Sequence, residues 1–255
     1  MKQYKKTYEL KNIAKDRLDG KYTNAILIFF LNTIIAGAVH LFISTVASTT
    51  INTIYFSTGS ESASTVISFL FDLILLAANI VLSVMNAGIT LYFLNIACGQ
   101  QFMIRDLFYG YRTDSSKILI IASVMVLCQA VCLWPGQYLA QNYLTTREPL
   151  WLIYGAIAFG AGLCVYIPVF LGIEMSFYLM LDFPQYSARQ VLSQCWRIMK
   201  GQRLRLFCLE LSFLPLLLLC ILSFGIGFLW VNPYMQMTYT YFFLDLMNPK
   251  ETSNS

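Results

Sequence analysis

The sequence predicts an all-α, polytopic transmembrane bundle of about six membrane-spanning helices, with amphipathic interfacial helices on the cytoplasmic side. Three observations predict it. Of the 255 residues, 58% are hydrophobic and only 12% charged, at a mean hydropathy of +0.63, whereas soluble domains carry about 25% charged residues. Apolar stretches recur along the whole chain, each long enough to cross roughly 30 Å of hydrocarbon. The Lys and Arg residues crowd into alternate connections between those stretches.

Residues 1–21 form the first element, a basic cytoplasmic helix. Seven of the 17 basic residues lie here: Lys2, Lys5, Lys6, Lys11, Lys15, Arg17 and Lys21. Leu10, Ile13, Ala14 and Leu18 repeat at helical spacing and Gly20 ends the run. The segment is too charged to cross, and its long charged region with no nearby cleavage site is unlike a signal peptide. A basic run ahead of an apolar stretch points to anionic lipid headgroups rather than to nucleic acid.

Residues 22–247 form the transmembrane bundle, and 248–255 a polar tail of the same single domain. The expected spans are 23–46, 65–97, 118–135, 150–181, 205–223 and 226–246. The last two are separated by a tight turn at Ser223-Phe224-Gly225-Ile226-Gly227, which glycines permit. Orientation follows from Lys and Arg in short loops. Fifteen basic residues precede span one or lie in the loops Gly99–Lys117 and Asp182–Arg205, Arg147 alone lies in the other two connections, and Lys250 is in the tail. The N-terminus and the two basic loops are therefore expected in the cytoplasm of a cell-membrane protein. Trp134, Trp151 and Trp230 fall at the outer boundary and Trp196 at the inner one, as an aromatic belt.

Between Ser187 and Lys200, Ala188, Leu192, Cys195 and Met199 recur at helical spacing, and Ser187 with Gln190 makes a capping box. Arg189, Arg197 and Lys200, with Lys11 and Lys15, are the expected headgroup contacts of these interfacial helices. Gly20, Gly110 and Gly201 stand about 90 residues apart, each between an interfacial helix and two spans. That spacing predicts three parallel two-helix repeats; the competing reading is that apolar segments simply look alike.

Polar residues within the spans carry what the sequence says about chemistry. Ser68, Asp72, Asn79, Ser83, Asn86 and Thr90 share one face of span two, and Asn232, Gln236 and Thr240 one face of span six. Such stripes face inward, because lipid offers them no partner. Hydrogen bonding between helices is the plainer reading of them and a hydrated cavity the functional one. Asp72, Glu174 and Glu210 are acids inside spans, costly unless paired. Arg203 and Arg205 are placed to pair with the two glutamates, and His40 with Asp72. The candidate cavity residues are therefore Asp72, Asn79, Asn86, Glu174, Glu210, Asn232 and Gln236.

Catalytic and metal-binding patterns are not found: the one histidine is His40, and no His-Glu-x-x-His, Gly-x-Ser-x-Gly or Walker A sequence occurs. The seven cysteines lie in or beside apolar segments, against a disulfide framework. Cys128 and Cys132 read as packing residues and Ala158 with Gly162 as a helix-packing face. The expectation is a protein that is not an enzyme and holds neither metal nor cofactor. It organises or binds membrane components, or, alternatively, transports a solute or handles lipid through a polar cavity. The sequence names no protein partner or small ligand.

Met199-Lys200-Gly201, Leu206-Phe207, Leu209-Glu210-Leu211-Ser212-Phe213, Gly225-Ile226-Gly227-Phe228-Leu229-Trp230 and Pro233-Tyr234 together resemble the signature of domain-of-unknown-function family 975, integral membrane proteins of mainly Gram-positive bacteria. The family commonly carries Asp where this chain has Glu210. The family has no established activity, so the resemblance implies a bacterial membrane topology and not a function.

Overall fold

A computed structural model describes residues 2–100, 107–113, 115–248 and 250–251. Arg105 and most of the polar tail lie outside the described residues. Apart from a two-residue ladder, β1 (Lys2–Gln3) with β2 (Lys250–Glu251), the regular structure is helical. The ladder is antiparallel, with Lys2 opposite Glu251, so it joins the two chain ends.

The first helix, α1 (Thr7–Leu18), starts where the Glu9 carboxylate accepts the Lys6 N–H at 3.0 Å. Lys15 and Arg17 in its last turn complement the helix dipole. Leu10, Ala14 and Leu18 are fully buried, and Gly20 at φ 71° turns the chain into α2 (Tyr22–Thr58). That helix is 37 residues long, roughly 55 Å at about 1.5 Å per residue, well beyond a bilayer core. It outruns the expected end at residue 46. Over that extension Thr45, Thr49, Thr50, Thr53 and Thr58 each bond a carbonyl one turn back, so their hydroxyls have partners within the helix. Gly59 in the left-handed region ends it, and the Ser60 hydroxyl caps α3 (Glu61–Ser83).

The second span continues as α4 (Met85–Cys98), jointed at Val84. The one-turn helix α5 (Tyr109–Arg112) packs on that joint. Here Gly110 differs from its expected counterparts. Gly20 and Gly201 take positive φ, whereas Gly110 lies so close to α4 that a Cβ would sit 2.7 Å from the Val84 side chain. Its role is close approach, whereas Gly20 and Gly201 turn the chain.

The second hairpin is α6 (Ser115–Thr146) and α7 (Pro149–Ile173), extended by α8 (Ser176–Asp182). Close helix contact rests on glycine: a Cβ on Gly136 would meet the Phe159 backbone at 2.6 Å, one on Gly155 the Ala140 backbone at 2.8 Å, and one on Gly162 the Cys132 carbonyl. The amphipathic helix α9 (Ala188–Ile198) has its capping box in both directions, Ser187 N–H to Gln190 Oε1 at 2.9 Å and Gln190 N–H to Ser187 Oγ at 3.4 Å. Gly201 then leads to α10 (Arg203–Leu211) and α11 (Leu214–Leu222), jointed at Ser212–Phe213. After the turn at Ser223–Gly227 the chain returns as α12 (Phe228–Met247).

Five units are long and apolar enough to cross a membrane: Tyr22–Thr58, Ser62–Cys98, Ser115–Ala140, Pro149–Asp182 and Arg203–Leu222. The 20-residue α12 is the sixth long element. These units pack in chain order. Helix α2 lies on α3, α3 on α6, α6 on α7, α7 on α10, α11 on α12, and α12 back on α2. A ring results, with α1, α5 and α9 at one end beside both chain termini, here called the basic end. Both buried clusters of side chains gather around that end, under α1 and α9.

Candidate functional site

Inside the ring are two adjoining chambers, about 490 Å³ and 260 Å³. Asn32, Asn86, Met125, Phe170 and Phe177 line both and so stand where the two meet. The larger lies within the range that holds a small ligand, about 300–1,000 Å³, and the smaller just below it. The larger chamber faces the far end, among His40 on α2, Asn79 and Ser83 on α3, and Gln129 and Gln137 on α6. The smaller one closes toward the basic end on Thr90, Glu174, Tyr178, Gln236 and Tyr239.

Helical period explains how these side chains meet. Asn79, Ser83, Asn86 and Thr90 keep one face of α3 and α4 toward the ring axis. Asn32 and His40, and likewise Gln129 and Gln137, stand eight residues apart, a spacing that again keeps one face. His40 Nε2 and Asn79 Oδ1 are 2.9 Å apart. Among the described residues no hydrogen bond involves the side chains of Asn32, Asn86, Gln129 or Gln137. The stripe is therefore only partly spent on joining helices, and four amides are left to face the cavity.

The inner chamber is the better ordered. The Tyr178 hydroxyl receives the Gln236 side-chain amide at 3.0 Å and sits 3.1 Å from Thr240 Oγ1. The Tyr178 ring stacks on Phe243 at 5.3 Å. Glu174 lies at the joint between α7 and α8, where its N–H still bonds the Phe170 carbonyl at 2.8 Å. Its carboxyl meets that of Glu210 on α10, off the cavity wall. Two carboxylates so close repel each other unless a proton or a cation comes between them. Glu174 Oε2 is buried with no hydrogen-bond partner.

The arginines expected to pair with these acids are used elsewhere. Arg203 stacks on Trp196, 3.7 Å from its ring, and both press on Gly172, where a Cβ would come within 2.5 Å of the indole. Arg205 forms an ion pair with Asp245 near the end of α12. Asp245 also accepts the Lys5 N–H at 3.2 Å, and Arg205 donates to the Lys5 carbonyl at 2.9 Å. That cluster ties the N-terminus, α10 and α12 together. Among the described residues no ion pair reaches Glu174 or Glu210.

Of the other expected cavity residues, Asp72 is exposed on α3 and lines neither chamber; His40 bonds Asn79 in its place. Asn79 to Asp72 is seven residues, about 10 Å along the axis, and α3 has left the lining before it reaches Asp72. Asn232 is half-buried and likewise off the lining, whereas Gln236 lies on it. Lys15, Arg189, Arg197 and Lys200 are exposed at the basic end. Lys11 departs from the expected headgroup role. Its ammonium donates to the Ser212 carbonyl at 2.8 Å and lies 3.9 Å from the centre of the Phe213 ring, covering the joint between α10 and α11. Burial lowers its pKa.

Asn32, Gln129, Gln137, Tyr178 and Asp245 complete the picture without having been singled out in the sequence. The eight-residue pairs on α2 and α6 were readable by the rule that found the stripe on span two. Tyr178 and Asp245 had no such signal, because their partners lie 58 to 62 and 40 residues away.

No curated protein and no solved structure matches the chain. The family model described as Protein of unknown function (DUF975) matches residues 1–250, nearly the whole length. With its ring of apolar helices, its interfacial helices and its C-terminal signature, this chain belongs to the DUF975 family.

Proposed function

We propose that this chain is a non-catalytic, multi-pass protein of the bacterial cell membrane that binds a small polar ligand inside its helical ring and serves as a transporter or carrier for it. One observation carries the reading: unbonded amides from three helices face two adjoining chambers inside the ring. A bundle that used its polar residues only for packing would pair them with each other, since each such bond stabilises by about 0.6–2 kcal/mol. The lining combines amides, hydroxyls, aromatic rings, a histidine and one carboxylate with aliphatic side chains such as Leu82, Leu133 and Ile89, a set suited to recognition. The paired chain ends favour an even number of crossings, hence six, because ends on one face require it. Basic residues gathered at that face favour a cytoplasmic orientation for both ends.

Purification of the full chain in native lipid, followed by mass spectrometry, tests the proposal. A small molecule is expected to co-purify and to be lost on Asn86→Phe, which fills the junction between the chambers. A bundle with no retained ligand, and with Asn86→Phe more stable than the parent, would count against it. A fluorescent or phosphatase fusion after Ser255 reads the crossing number, and an outside C-terminus would refute six.

A membrane-organising role for the basic end is supported separately by the exposure of Lys15, Arg189, Arg197 and Lys200. These residues are expected to bind anionic headgroups, with about 1 kcal/mol per basic residue near the surface. Vesicle co-sedimentation of the full chain's isolated charge-reversed variants, compared with the parent, measures it.

A further inference from the structure

The inner chamber carries a sharper message about its ligand. Glu174 is the only Asp or Glu on the lining of either chamber, and no Lys or Arg lines them among the described residues. The arginines nearest in sequence to the acid pair are committed to Trp196 and Asp245. Glu174 Oε2 is left buried and without a partner. The rings of Phe170, Phe177, Tyr178 and Tyr239 line the same chamber as Glu174, together with Gln236.

Each of these features selects the same chemistry. An anion would meet a carboxylate with no compensating cation. A bare Ca²⁺ or Mg²⁺ ion would want about six or more oxygen ligands, which a wall rich in aromatic rings does not supply, and no group of three His, Cys, Asp or Glu that could hold another metal stands among the described residues. An ammonium group satisfies both parts of the wall at once: its charge is matched by the carboxylate, and its hydrocarbon surface by ring faces, whose quadrupoles attract cations. The chamber of about 260 Å³ has room for a small organic group, and the larger chamber leaves space for a tail.

Resting on the cavity reading above, we infer that this protein binds a small organic cation, an amine or quaternary ammonium, with its positive group held at Glu174 between the aromatic rings. Glu210 stands behind Glu174, and the ammonium takes the place of the proton that two carboxyls so close otherwise need between them.

The test uses the full chain in lipid nanodiscs with Asn86→Cys, a position on the lining of both chambers. Neutral, cationic trimethylammonium and anionic sulfonate thiosulfonate reagents are applied, and modification at position 86 is read by peptide mass spectrometry against a free thiol. The cationic reagent is expected to outpace the anionic one by about tenfold or more, and Glu174→Gln to bring the two within about twofold, as a local field at a cleft dictates. Tetraethylammonium is expected to slow the neutral reagent. Equal rates for both charges with Glu174 intact, or no protection by tetraethylammonium, would overturn the cation assignment while leaving the cavity standing. Failure of the neutral reagent to reach position 86 would instead sink the cavity itself. Should Glu174→Gln not fold, the charge ratio and the protection in Asn86→Cys alone decide the matter.

Discussion

At the basic end, Phe93, Phe213, Phe242 and Phe243 are buried under α1, α9 and the last turns of α12, whereas at the far end α2 leaves Leu41 69% and Phe56 85% exposed. The same kinds of side chain thus hold two different parts of one ring. Near the basic end, chain packs on chain, helped by the Arg205–Asp245 ion pair and by caps. Toward the far end the helices offer their apolar surface to lipid, and the space between them stays open and polar. The contrast teaches that cohesion and cavity are separated along the axis: one end fixes the ring, and the other is free to be hollow.

The sharpest way to break this division is Asp245→Ala. Asp245 is 7% exposed and holds both Arg205 and the Lys5 N–H. Leaving the guanidinium partly buried and unpaired is expected to cost about 3–5 kcal/mol, read as a large loss of thermal stability in detergent and of expressed protein. Next comes Gly162→Ala, whose new methyl would collide with the Cys132 carbonyl. Overpacking of this kind costs about 1–3 kcal/mol, and cross-linking between α6 and α7 is expected to change with it. Ser187→Ala removes the cap of α9 and is expected to cost about 1 kcal/mol, visible as a modest shift in unfolding temperature. Smallest of all, Phe56→Ala at the far end is expected to stay within about 0.5 kcal/mol. A large loss there, measured by the same thermal scan, would mean that the far end is packed against something more than lipid.

The two ends also differ in how much the sequence discloses. Helices α1 and α9 are legible because each combines a local period with a local cap: Leu10, Ala14 and Leu18 in one, the Ser187–Gln190 box in the other. The stripe through Asn79, Ser83, Asn86 and Thr90 is legible for the same reason, since period fixes the angle around an axis. It does not fix depth. Asp72 and Asn232 have the right angle and lie outside the cavity, and only the positions of the neighbouring helices determine where it stops. The ends of α2 and α6 ran past their expected limits because hydropathy falls off before helix does, as the serine and threonine hydroxyls of α2 turn inward onto its own backbone. The choice of Asp245 by Arg205, and of Trp196 by Arg203, depends on contacts between distant segments and has no local trace in the chain.

The antiparallel ladder between Lys2–Gln3 and Lys250–Glu251 brings the start and finish of the polypeptide within hydrogen-bonding distance. In effect the fold is a loop that happens to be cut there. A short linker joining those ends, with new termini opened at the turn around Arg147, would reorder the gene without reordering the helices. The permuted chain would have its ends on the opposite side of the bilayer, and its segments would enter the membrane starting from α7 while keeping the same neighbours around the ring.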